Sequence, residues 1–155
     1  SDEALAGDPT AMLADGSRLN TTGAELVAEG EERIGEGREQ VARGEAKIRE
    51  GNDFVVAARR AYIDQARISG EAASPRAVEA EARKLREIGD RWQDAIDEIR
   101  EGNALVDKGN RNIDRGQSET REGRLLMERG STLVRDGERI RLGSALREAS
   151  SSGQP

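Results

Sequence analysis

The sequence contains neither cysteine nor histidine. That excludes disulfides, thiolate and imidazole metal sites, Ser-His-Asp and Cys-His triads, and histidine acid–base chemistry, so only carboxylates could ligate a metal. Aromatics are almost as scarce, with Phe54, Tyr62 and Trp92 the whole set. At 34% hydrophobic against 36% charged, the 155 residues lack the large apolar side chains of a thick globular core. The choice lies between disorder and a fold that buries a narrow stripe. Long apolar runs are missing too. The longest, Phe54 to Ala58, falls far short of the roughly 20 residues a spanning helix needs, and no signal-peptide pattern is present. The net charge of −6 argues against nucleic acid as a partner. A soluble chain is expected. A start at Ser1 without Met suits a processed, extracytoplasmic form, although freedom from Cys fits any compartment.

What the sequence does have is a beat of glycine. Of its 18 glycines, 12 keep a seven-residue interval: Gly16, Gly23, Gly30, Gly37, Gly44 and Gly51, then Gly102, Gly109, Gly116, Gly123, Gly130 and Gly137. Ala58 and Ala95 continue the phase inward, so the position asks for a small side chain. Four residues after each small position stands a second column. It reads Val27, Ile34, Val41, Ile48, Val55 and Tyr62 in the first arm, and Trp92, Ile99, Val106, Ile113, Met127 and Val134 in the second. Alternation of four and three is a coiled-coil heptad, with glycine at d and the branched residue at a. Asn20 and Thr120 are polar members of the a column. A glycine-periodic β-solenoid or a flexible tract is the rival, but Glu, Arg and Ala dominate the remaining positions, and 3/4 spacing has no meaning in a strand of period two.

Glycine inside a helix costs about 1 kcal/mol relative to alanine, so the 12 together cost on the order of 12 kcal/mol, comparable to the whole stability of a domain. Close approach of two backbones is the compensation expected, because helices without Cβ atoms at d can settle near the short end of the usual ~8–10 Å spacing.

Asp8-Pro9 and Ser74-Pro75 each read as an N-cap followed by proline at the first helical position. The expected elements are a helix over 9–68, a turn over 69–74 with Gly70 ending the first helix, and a helix over 75–146. Disordered tails are expected at 1–8 and 149–155. Thr22-Gly23-Ala24-Glu25 has the form of a capping box that could restart a helix; the unbroken beat favours continuity. The fold class is all-α: one long antiparallel two-helix coiled-coil hairpin with glycine at d, able to dimerise into a four-helix bundle. Two registers compete. One sets Gly30 against Ile113, Gly37 against Val106, Gly44 against Ile99 and Gly51 against Trp92. The other sets glycine on glycine, as in Gly23 with Gly123 and Gly44 with Gly102. The first is preferred because it fills the gap beside each glycine.

The apolar stripe widens at both ends of the expected hairpin. Phe54, Tyr62 and Trp92 thicken it toward the turn, Tyr62 and Trp92 as core. Leu19, Leu26, Leu126, Leu133 and Ile140 add an apolar g column toward the open end. A two-helix contact does not need that width, so these eight residues are the candidate interaction ends. Glu25, Glu29, Glu32, Glu36 and Glu39 fall at c and f, an outward strip whose plain reading is a solvated face paired by Arg33, Arg38 and Arg43. Gly35, Gly89 and Gly143 are off the beat. No nucleophile–base pair, phosphate loop or metal set is visible, so no catalytic, cofactor-binding or metal residue is assigned and no cofactor is expected.

Two functions follow as expectations. One is a non-enzymatic structural or interaction protein, a rigid hairpin that scaffolds or spaces partners and associates with itself. The other is a client- or ligand-binding carrier that uses the apolar ends. The expected partner is a second copy or another protein.

Overall fold

The computed structural model describes residues 1–153. It is all-α among those residues, with three helices: α1 (Asp2–Leu5), α2 (Pro9–Ile68) and α3 (Pro75–Ser152). The two long helices pack against each other, and local chemistry explains where they start and stop. The Asp8 side chain accepts a hydrogen bond from the Thr10 amide at 3.0 Å, and Ser74 Oγ accepts from the Ala77 amide at 3.2 Å. Both prolines therefore sit where a missing N–H costs nothing. Gly70 adopts φ 95°, a conformation open to glycine and costly for other residues, and the chain leaves α2 there. Thr22 and Glu25 lie inside α2, so no helix restarts at that point.

The segment expected to be an N-terminal tail instead folds as α1. Ser1 caps it, its Oγ accepting from the Ala4 amide at 3.2 Å. Gly7, at φ 81°, turns the chain from α1 into α2. The α-ammonium of Ser1 donates to Asp15 at 2.7 Å, Arg18 also pairs with Asp15, and Ala4 is buried. Hydrogen bonds from Ser1 hold the Asp15 carboxyl down at about 2. At the other end α3 runs on to Ser152, past the expected stop at 146 and through residues 149–152, which were expected to be disordered. The last two residues of that expected tail lie outside the described residues.

The chain divides into two units, and each long helix contributes to both. Unit 1 takes in Ser1–Gly35 and the part of α3 from Ile113 onward. Unit 2 is Glu36–Asn112, the C-terminal part of α2, the turn and the N-terminal part of α3. Neither has a conventional core, since among the described residues no large side chain is fully buried. What each buries is a column of small residues. In unit 1 these are Gly16, Gly23, Gly30, Gly116, Gly123, Gly130 and Gly137; in unit 2 they are Gly37, Gly44, Gly51, Ala58, Ala95, Gly102 and Gly109, with Gln65 next in the same phase.

Candidate functional site

In unit 1 a Cβ placed on Gly16 would lie 2.6 Å from the carbonyl oxygen of Gly130 and 2.7 Å from Val134 Cγ2. On Gly23 it would meet the Gly123 oxygen at 2.5 Å, and on Gly30 the Gly116 oxygen at 2.6 Å. The reverse contacts, from Gly116, Gly123 and Gly130, close at 2.5–2.6 Å. Unit 2 repeats the arrangement. A Cβ on Gly44 would stand 2.5 Å from the Gly102 oxygen, and one on Gly109 would stand 2.5 Å from the Gly37 oxygen. Real Cβ atoms do not approach backbone so closely. The glycine hydrogen that replaces each Cβ points at a carbonyl oxygen of the opposing helix, the direction of a Cα–H···O contact. Where alanine replaces glycine the contact relaxes: the Ala95 oxygen is 3.0 Å from a Cβ on Gly51.

These pairs overturn the preferred register. Glycine faces glycine, and the expected oppositions of Gly30 with Ile113, Gly37 with Val106, Gly44 with Ile99 and Gly51 with Trp92 do not occur as direct pairs. Voids do not separate the two registers, because packing in a helix pair is not one residue against one. Each glycine is covered by the carbonyl of its opposite number and by the side chain four residues further on. Val134 covers Gly16, Met127 covers Gly23, Val106 covers Gly44 and Ile34 covers Gly116. The gap is filled in this register too. The polar members of the column take part in the same way. Thr120 is buried and returns its Oγ1 proton to the Gly116 oxygen at 2.8 Å, while Asn20 Oδ1 lies 2.7 Å from the Cβ position of Gly130.

Polar contacts flank the column on both units. Arg33 reaches Glu119 at 2.8 Å in unit 1. In unit 2, Asn112 donates to Gln40 at 2.7 Å and Lys47 pairs with Glu101 at 3.4 Å. Burial pushes the Glu98 carboxyl above its ordinary value, and the neighbouring Glu50, through a hydrogen bond to the protonated form and like charge, pushes it the same way. Lys47 opposes them. The outward Glu25, Glu29, Glu32, Glu36 and Glu39 are all exposed.

The candidate interaction ends fall into two groups. Leu19, Leu26, Leu126 and Leu133 are half-buried in unit 1, where Leu19 and Leu133 line a groove of about 520 Å³ with Leu125 and Thr132. Ile140 is exposed. In unit 2 Trp92 is half-buried, but Phe54 and Tyr62 are each 50% exposed, so Tyr62 is not the core residue its column position suggested. A pair of helices has one seam, and side chains beside it stay wet.

Phe54 borders a groove of about 480 Å³ in unit 2. Ala57, Ala58, Ala61 and Ala95 form its floor with Ile88, and Arg91, Asp94 and Glu98 stand along it on α3. The sequence pattern marked Phe54 as an interaction end and placed Ala58 and Ala95 in the small-residue column, but it did not join them with the other lining residues into a groove. The run of alanines after Phe54 was the available signal, and joining it to Ile88 and Ala95 requires the register. Leu125, 55% exposed in unit 1, was missed as well.

No set of three or more Asp or Glu side chains among the described residues gathers to hold a metal ion, and no described helix is long and apolar enough to cross a membrane. Comparison with protein-family models, with curated proteins and with solved structures finds no match.

Proposed function

We propose that this chain is a non-enzymatic structural and interaction protein: a helical hairpin closed by a glycine-heptad coiled coil, which associates with itself and scaffolds or spaces partners. The observation that carries this reading is the distribution of side-chain size. Small residues occupy the buried column, and large apolar ones such as Phe54, Val56, Leu125 and Leu142 remain half or more exposed. Intramolecular closure uses backbone against backbone and leaves the apolar side chains for other contacts. A client-binding carrier is the second reading, favoured by the alanine-floored groove beside Phe54.

Light scattering after size exclusion, together with an apolar dye, separates the two. A stable dimer that leaves the dye dark is the expected result. A monomer that lights the dye would transfer the assignment to the carrier.

A further inference from the structure

We infer that two copies of this chain associate through the alanine-floored groove of unit 2. In this arrangement α3 of each copy lies antiparallel across α3 of the other, about a two-fold axis beside Asp94 and Ala95, with Arg91 of each copy paired to Glu98 of the other. The inference rests on the self-association proposed above and gives it a place.

Three observations lead there. Apart from Ile88, the floor residues Ala57, Ala58, Ala61 and Ala95 carry nothing longer than a methyl group, so a further helix can settle into the groove, and half-exposed Phe54 at its border gains cover when one does. Charge along the groove is self-complementary. Arg91 and Glu98 are seven residues apart on one face of α3, so reversing a second α3 about the point between residues 94 and 95 brings each opposite the other. Neither forms an ion pair within its own chain among the described residues. Lys47, whose charge opposes the rise at Glu98, is engaged by Glu101, so a cation from a second copy meets an unfilled need.

Surface area gives the third argument. The chain exposes 11036 Å². A compact monomer of 16.8 kDa exposes roughly 7,700 Å². A standard interface removes about 1,600 Å² in all, about 800 Å² from each chain, well inside that excess.

Sedimentation equilibrium on the wild type, on Arg91→Glu, on Glu98→Arg and on an equimolar mixture of the two variants tests this directly, with circular dichroism to establish that all are equally helical. The wild type is expected to be dimeric. Each single substitution sets like charges opposite one another twice and should weaken the dimer about tenfold or more. The mixture should recover it, because in the mixed pair both 91–98 contacts again join an acid to a base. A wild type that stays monomeric, with or without dye bound, overturns the inference along with self-association. A dimer indifferent to both substitutions overturns this interface and leaves self-association standing. Weakened single variants whose mixture remains weak overturn the two-fold pairing.

Discussion

A glycine on the buried column and a glycine on the outer surface are chemically the same and energetically opposite. Alanine in place of an exposed helical glycine stabilises by about 1 kcal/mol through propensity alone. Gly35 and Gly89, whose Cβ positions meet nothing within 4 Å, should follow that rule. At Gly44, Gly109 and Gly116 the same methyl would stand 2.5 Å from a carbonyl oxygen of the other helix. Backbone cannot swing away as a side chain can, so the helices must part, and overpacking costs about 1–3 kcal/mol. The expected net is a loss of up to ~2 kcal/mol after the propensity gain is subtracted, and a larger loss for Gly→Leu. Gly137, with its nearest contact at 3.1 Å, should lose least. Urea denaturation of this series checks the ordering; a gain at Gly44 matching that at Gly35 would remove close packing as the reason for the column. Glu50 offers a test of sign. Because the Glu98 carboxyl is raised in the folded chain, its protonated form favours folding at low pH, and that contribution is lost as pH climbs through the raised value. Glu50→Gln removes the like charge beside Glu98 and keeps a side chain able to hydrogen-bond to it. Its melting midpoint should exceed wild type at pH 7, and the gap should shrink as pH falls and the Glu98 carboxyl takes up its proton.

At the scale of elements, the long helices were legible because their signals are local. Asp8-Pro9 and Ser74-Pro75 specify starts, and Gly70 specifies a stop, without reference to anything distant. Ser74→Ala should therefore cost about 1 kcal/mol in thermal or chemical unfolding and Ser74→Gly only a few tenths, the pattern of a lost cap; equal losses would place the role of Ser74 elsewhere. The small-residue column was legible for the same reason, through spacing alone. What spacing could not settle was the register. Facing glycines and facing glycine–isoleucine pairs each fill the seam, once the side chain four residues on is counted. The structure chooses glycine on glycine, as the 2.5 Å approach to the Gly102 oxygen at Gly44 records. The groove of unit 2 was out of reach in consequence. Ala57 and Ala58 are adjacent in sequence, but their place beside Ile88 and Ala95 follows only from that register. Helix α1 was missed on different grounds: four residues are too few for periodicity, and the hold on Asp15 acts across 14 positions.

For the molecule as a whole, the decisive quantity is how little it buries. A chain of this composition pays the ordering entropy of two long helices, and no large side chain among the described residues is fully buried to offset it. Backbone contact along the glycine column recovers part of the deficit, and the exposed apolar side chains can recover more only through a second molecule. Stability should then depend on concentration, because anything that binds the folded chain and not the unfolded one raises its midpoint by mass action. For unfolding to separate chains, a hundredfold rise in concentration is worth about 1.4 kcal/mol per chain, or roughly 3–5 °C for a domain near this size. Differential scanning calorimetry across that range should show the rise in the wild type and a lower midpoint in Arg91→Glu at each concentration. A wild-type midpoint independent of concentration would mean that the helix pair carries its own stability, and the glycine column would then have to supply far more than weak Cα–H···O contacts allow.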